Sequence, residues 1–418
     1  MDNQIETVAV PRGANYLRPL GAVERYFWLS DQNSPKHFCM TVQISGETKV
    51  ERWREALEQV RARHPLLRAM IARHGQGAPT FYELPGCSIP MRVVEAKPPH
   101  DWHAAVAEEL TLAFPPSEAP LARTVLFHSR DSSTLVFTAH HAIADGMSIA
   151  FVMRDILTVV GGGEIGKLEL PLAQETIAEA WPSGNADTNT QVVGHPGQML
   201  DRTQGRPVVS ALRLSHELSA SIRRVARTRE TTVHGALLAA TIVAGRSLSQ
   251  EWSSGPVRAI SPVNLRSTLG VGDDCVVSII FPVGAYVPDD VGALWNLAAA
   301  IRSDLAPMKS REAIARAFGI FEDIARSSAT VEEIAATELK ACACEMMLSN
   351  LGEAPLEARY GAIKVDALWG PSVFVGIEGE QMIGAATVGG SIHLVHTSYS
   401  PIPDLLQITE TLLSRAIG

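Results

Sequence analysis

Between residues 134 and 159 the chain changes period. Thr134-Leu135-Val136-Phe137-Thr138-Ala139 is an apolar strand pattern, His140-His141-Ala142-Ile143-Ala144-Asp145-Gly146 follows it, and Met147 to Val159 has helical spacing. A strand that ends on two histidines and enters a helix through an Asp-Gly turn must make a sharp corner. Neighbouring strand side chains point to opposite faces, so His140 and His141 cannot both serve one site. His141 shares its face with Leu135, Phe137 and Ala139, and His140 with Val136 and Thr138; periodicity does not choose between them. A neutral imidazole, with a reference pKa of about 6.5, can take a proton from a hydroxyl or an amine. The plainer reading is a pair of ordinary strand residues. Asp145 also has two readings. It can orient an imidazole as in a triad, or be a buried carboxylate paired with an arginine that holds the loop. Its place beyond the turn favours the second.

The 418 residues exceed one ordinary core, so two domains are expected. Hydrophobic residues at 46% and charged residues at 19% fit a folded soluble enzyme rather than a disordered chain. Net charge is −9 and no basic run stands out, so nucleic acid is not an expected partner. Met1-Asp2-Asn3-Gln4-Ile5-Glu6 lacks the basic and apolar regions of a secretory signal, and no run of about 18 apolar residues suggests an integral membrane segment. Five cysteines (Cys39, Cys87, Cys275, Cys342, Cys344) read as reduced thiols of a cytoplasmic protein. Adjacent strand histidines make a poor metal pair, and no His/Glu i,i+4 set supports one, so no metal site is expected. Gly146-Met147-Ser148-Ile149-Ala150 falls one residue short of a nucleophile elbow. In an elbow the strand leads straight into the serine, whereas Ser148 stands seven positions beyond His141.

Elements follow from the periodicity. A strand is expected at His37 to Ile44. The next helix has Thr48 and Glu51 at capping-box spacing, Val50, Trp53, Leu57 and Val60 on one face, and Pro65 as its stop. Short strands are expected at Thr80 to Leu84 and Met91 to Glu95, a helix at Trp102 to Leu112, and a hairpin from Ala122 to His128 and Thr134 to His141. From Gly161 to Pro207 prolines, glycines and polar residues mark a linker with one short helix, Ala173 to Ala180. The second half begins with a strand at Val208 to Leu214 and helices capped by Ser215 and by Thr231 or Thr232. Strands are expected at Val257 to Ile260, Cys275 to Val283, Cys344 to Leu348, Phe374 to Glu378, Gln381 to Thr387 and Ser391 to Thr397. Helices are expected at Val291 to Leu305, Ser310 to Arg326 and Ile402 to Ala416. Strands and helices mix in each half, which gives an α/β class of α+β layered domains. The division is 1–165, a linker at 166–207, and 208–418.

The His140–Gly146 stretch resembles the His-His-x-x-x-Asp-Gly signature of the condensation-domain and chloramphenicol-acetyltransferase-like superfamily. Other segments resemble family features in the same order. These are Arg63-His64-Pro65-Leu66-Leu67-Arg68, Leu212 to Ala240, Ser261-Pro262-Val263-Asn264-Leu265-Arg266 and Ser349-Asn350-Leu351-Gly352. Asp366-Ala367-Leu368-Trp369-Gly370 is similar to the Asp-Phe-Gly-Trp-Gly loop of BAHD acyltransferases and departs at its second and third positions. The nearest pattern is the polyketide-associated and alcohol acyltransferase branch. The resemblance implies two similar chloramphenicol-acetyltransferase-like domains in a V around a central tunnel. It implies His141 as general base, with His140 and Gly146 in support. It also implies an Asp145–Arg266 pair, and Asn350 and Trp369 lining the tunnel near the acceptor. The donor would be acyl-CoA or a phosphopantetheine-linked acyl thioester, with no permanently bound cofactor. A small-molecule acceptor, by hydroxyl ahead of amine, and an acyl or peptidyl carrier protein would be the partners. The alternatives are a non-catalytic docking module and a thioester or ester hydrolase.

Overall fold

The computed structural model describes residues 10–73, 77–95, 101–115, 118–179, 181, 197–201, 205–287, 294–327 and 330–417. The N-terminal hexapeptide, Ala180, the 182–196 part of the expected linker and the expected helix start at 291–293 lie outside them.

Two six-stranded sheets organise the chain. The first runs in the order Arg359–Tyr360, Ile363–Ser372, His37–Ser45, Ser132–His140, Ala122–His128, Met91–Glu95. Its pairs are antiparallel except the last, which is parallel. Helices Val50–Arg63 and Gly146–Val160 pack on each other, and the second also packs on the His37–Ser45 strand. Trp53, Ala56, Leu57 and Val60 form the buried stripe of the first helix, as their i, i+3, i+4, i+7 spacing requires. Arg63 ends it because Pro65 starts a 3-10 turn.

The second sheet runs Val283–Tyr286, Val257–Ile260, Met346–Glu353, Gln381–Val388, Ser391–Ser398, Val208–Arg213. Met346–Glu353 is parallel to both of its neighbours and the other pairs are antiparallel. Helix Val233–Leu248 is buried continuously from Gly235 to Gly245, between helices Leu294–Leu305 and Leu405–Ile417. Thr232 caps it by accepting the Gly235 N–H, and Ser215 caps His216–Thr228 in the same way through Leu218.

The two halves interlock. Strand Ile363–Ser372 comes from the C-terminal half yet pairs with His37–Ser45. It also packs against Gln381–Val388 of the second sheet. Helix Ala22–Asp31 packs on helices Arg311–Ser327 and Val331–Ala341. One apolar core accordingly runs from the first sheet into residues such as Ile260, Ile280 and Met347.

Several expectations need correction. No Thr48–Glu51 capping box forms. Lys49 is the N-cap, and the Thr48 hydroxyl instead accepts the Trp53 indole N–H at 3.1 Å. The expected strand at Cys275 to Val283 is interrupted; only Ile279–Ile280 and Val283–Tyr286 are strand. The reason is that Val276 and Ser278 spend their backbone groups on side chains of the other half. Phe374 to Glu378 is likewise irregular apart from a bridge of Ile377 to Met199. There the Val375 and Gly376 amides donate to the Glu380 carboxylate.

Candidate active site

The His strand ends against the start of His37–Ser45. His37 is opposite His140, and the His141 N–H donates to the Lys36 carbonyl at 2.7 Å. The two rings then part. His140 is 1% exposed; its Nδ1 accepts the Ala142 N–H at 3.0 Å, and its Nε2 lies 3.4 Å from Asp31 Oδ1. With Nδ1 accepting, the ring hydrogen belongs on Nε2, facing Asp31. Asp31 also accepts the Lys36 N–H at 2.6 Å. Burial opposes ionisation of Asp31, but His140 and the Lys36 amide outweigh it and hold the carboxyl below its usual range. His140 is thus fixed in the wall of the fold.

His141 lines a cavity between the halves. Its ring stacks on Phe27, with centroids 4.1 Å apart and planes 6° apart, and leans on Phe38 at 4.7 Å. Burial pushes its pKa down to about 4, against the opposing pull of the Asp145 carboxylate. The imidazole is therefore neutral at ordinary pH. Nδ1 is buried, and hydrogen bonding of the ring to the His141 and Ala144 backbone partly offsets the effect of burial. Nε2 is the nitrogen turned to the cavity.

Asp145 does not bond this ring. Its Oδ1 accepts from the Ser148 N–H at 2.7 Å, the Ser148 hydroxyl at 2.9 Å and Arg266 at 3.2 Å, and its Oδ2 accepts the Ser278 N–H at 2.9 Å. Burial raises the cost of its charge, but Arg266 and these donors hold the carboxyl below its usual range. Arg266 also donates to Ser148 Oγ at 2.8 Å and to the carbonyls of Gly272, Asp274 and Val276. Ser148 is fully buried in this knot and is not on the cavity wall, so it is not presented as an elbow nucleophile. Gly146 packs closely against the other half: a Cβ there would stand 2.9 Å from Leu351.

Asn350 lines the cavity and accepts the Gly352 N–H through Oδ1 at 2.9 Å. Trp369 is not among the lining residues. A bulge between Trp369 and Ser372 breaks the strand's alternation, and Trp369 points instead toward Gln43, Trp102 and His393. The sequence reading missed Tyr26, Lys36, Glu338 and Cys342, which the fold gathers on one part of the wall. Lys36 Nζ lies 3.1 Å from Glu338 Oε1, and the Tyr26 hydroxyl donates to the same oxygen at 2.9 Å. Burial pushes the Cys342 thiol up to about 11, so it stays protonated. All five cysteines are free. Among the described residues no metal-binding group is assembled, and no helix is long and apolar enough to cross a membrane.

Residues 23–174 match the condensation domain family model, and residues 203–358 match that of the phthiocerol/phthiodiolone dimycocerosyl transferase C-terminus. Together they take in about three quarters of the chain. The chain belongs to the condensation-domain and chloramphenicol-acetyltransferase-like superfamily. Within it, the chain is 28% identical over 159 residues to phosphinothricin tripeptide synthetase PhsC of Streptomyces viridochromogenes, covering 35% of this chain and 14% of that one. It is 24% identical over 228 residues to surfactin synthase subunit 1 of Bacillus subtilis, covering 50% and 6%. The chain thus spans a small fraction of these relatives' length. Among solved structures, polyketide synthase associated protein 5 from Mycobacterium tuberculosis superposes with a TM-score of 0.63 at 16% identity, covering 97% of this chain and 99% of that one. The TRI3 trichothecene 15-O-acetyltransferase of Fusarium sporotrichioides gives 0.70 at 13% identity, covering 100% and 97%. At these identities the likeness is one of superfamily fold.

Proposed function

We propose that this superfamily member is an acyltransferase with His141 as general base. The donor is a thioester on CoA or on the phosphopantetheine arm of an acyl or peptidyl carrier protein. The acceptor is a hydroxyl of a small molecule, with an amine second. The observation that carries this reading is the neutral His141 ring, held flat on Phe27 with Nε2 toward a cavity between the halves. The family's transferase members, among them the dimycocerosyl transferase and the 15-O-acetyltransferase, support the reaction type.

The chemistry balances without a further reactant. The acceptor oxygen attacks the thioester carbonyl carbon while its proton moves to Nε2. An imidazole with so low a pKa is a weak base, so the proton moves as the carbon–oxygen bond forms rather than beforehand. The tetrahedral intermediate collapses, the carbon–sulfur bond breaks, and the imidazolium returns the proton to the departing thiolate. Ester and thiol leave, and the ring is neutral again. Binding both substrates in one cavity makes the attack effectively intramolecular. The oxyanion needs donors. Asn264 and Asn350 each use Oδ1 to accept a backbone N–H, which leaves their Nδ2 groups, with the Ser349 hydroxyl, as neutral donors on the wall.

The test is incubation of the protein with a panel of acyl-CoAs and acyl carrier proteins, read as thiol release with and without alcohols and amines. Release that depends on an acceptor, with ester formed, is expected. Release into water alone would make the chain a hydrolase, and none with any pair would make it a docking module.

A further inference from the structure

A base that takes the acceptor's proton carries a positive charge until the thiolate leaves. In a buried site that charge is costly unless something meets it. The charged groups around the corner are already matched. Asp145 accepts from Arg266, Ser148 and the Ser278 N–H. Asp31 faces His140, and Lys36 Nζ stands 3.1 Å from Glu338 Oε1. Among the described residues no carboxylate is hydrogen-bonded to the His141 ring, and Asp145 acts on it through space alone. What lies against the ring is Phe27, in a parallel stack with centroids 4.1 Å apart and planes 6° apart. The face of a benzene ring is its negative region. A neutral ring stacked there gains little from that field, whereas a cation within about 6 Å of the centroid is attracted. Protonation therefore strengthens this contact. Phe27 is also held where it is: it is buried on helix Ala22–Asp31, with the Tyr26 and Phe281 ring centroids 5.4 and 5.8 Å from its own.

We infer that the face of Phe27 stabilises the imidazolium of His141 as it forms, so that Phe27 is a positioning residue that lowers the barrier through the base. The inference deepens the acyl-transfer reading and rests on it for the reaction. In that reading the acceptor O–H bond breaks, an N–H bond forms at Nε2, and the departing thiolate later takes the proton back. Phe27 exchanges no atom or electron in these steps and contributes only the field of its ring. That field acts when charge develops and is weak before it. It therefore raises the rate of the chemical step and leaves substrate binding alone.

The test replaces Phe27 in the full-length protein with mono-, di- and trifluorinated phenylalanine, which keep the shape of the ring and drain charge from its face. Two rates are read at about pH 7: single-turnover ester formation, and modification of His141 by diethyl pyrocarbonate, resolved by peptide mass spectrometry. The second needs no substrate. There Nε2 attacks a carbonyl of the reagent, ethyl carbonate leaves, and the ring is cationic until its Nδ1 proton departs to solvent. Both rates are expected to fall stepwise with each fluorine, to about tenfold below the wild type for the trifluorinated ring, with the acceptor KM unchanged. Trifluorinated phenylalanine at Phe321, whose ring packs on Tyr26 and Phe281, is expected to leave both rates within about twofold. Rates independent of fluorination would overturn the inference and leave Phe27 a packing residue. An equal fall with the change at Phe321 would overturn it as well, because the effect would not be local. Slower modification with unchanged ester formation would overturn the role in transfer. If no substrate pair gives ester, the acyl-transfer reading fails, and the modification rate by itself still decides whether Phe27 meets the charge. The monofluorinated ring is the smallest change, and it decides the direction if the trifluorinated protein folds poorly.

Discussion

At the scale of residues, two adjacent histidines have opposite fates because one ring is tied and the other is not. His140 gives Nδ1 to a backbone amide and faces Asp31. His141 has apolar ring faces and a nitrogen toward the cavity. This has a consequence for pH. His141 titrates near 4, so its base form is complete through neutrality and is lost only as pH falls through about 4. The value of kcat/KM, which reports the free enzyme, is expected to be flat from about pH 6 to 8 and to show no His141 inflection near the ordinary imidazole value. A pH–rate profile with its acid limb centred near 6.5 would show that the ring is not desolvated as described. The sequence could show that the histidines diverge, but not which one reaches a site. That depends on Phe27 and Asp31, which lie in a helix more than a hundred positions earlier. Glu338 was less legible still. Glu332 and Glu333 share its helix, and only packing against Tyr26 and Lys36 sets it apart.

At the scale of elements, the corner after the His strand is held by a segment of the other half. Asp145, Ser148, Arg266 and the backbone at Val276 and Ser278 form one buried network. Breaking one side leaves an unpaired buried charge, at a cost of roughly 3–5 kcal/mol. Asp145→Ala and Arg266→Ala are each expected to melt early in thermal denaturation, and the double variant is expected to cost less than the sum of the two. Strict additivity would mean that the contact is incidental. The linker helix Gln174–Ala178 is a second tie. Glu175 accepts the Val23 N–H, and Gln174 donates to the Ile279 carbonyl of the other half. Burial, with Glu24 beside it, raises the Glu175 pKa to about 7. A folded pKa above the unfolded one means stability that is full below about 4.5 and is lost as pH rises through 7. Glu175→Gln is therefore expected to stabilise by on the order of 2 kcal/mol at pH 8 and by little at pH 5. Equal effects at both pH values in denaturant melts would refute the shift.

Legibility among the elements follows locality. The strand, turn and helix of 132–160 carry their own periods and caps. Strand Ile363–Ser372 does not: Asp366, Gly370 and Pro371 interrupt it, and its partner is His37–Ser45, far away in sequence. Helix Val331–Ala341 carries a readable local signal, the Thr330–Glu333 capping box.

At the scale of the whole molecule, the fold buries several imidazoles in neutral form. His141, His234, His393 and His396 are each pushed down to about 4, chiefly by burial. Their unfolded pKa lies near 6.5, so the unfolded chain binds more protons between about 4 and 6.5. Stability is then full above that window and falls as pH drops through it, by up to about 1.4 kcal/mol per pH unit for each proton. Thermal melting from pH 7 to 4.5 is expected to fall continuously, well before carboxylates titrate. A Tm constant down to pH 4.5 would contradict the burial of these rings.

The central claim is that one ring, His141, moves the proton of an acyl transfer. The most direct measurement is the single-turnover rate of ester formation for the wild type, His141→Ala and His140→Ala, with melting curves recorded alongside. The expected result is a folded His141→Ala slower by on the order of a hundred- to ten-thousand-fold, with His140→Ala losing mainly stability. A folded His141→Ala that transfers acyl groups at the wild-type rate would contradict the claim.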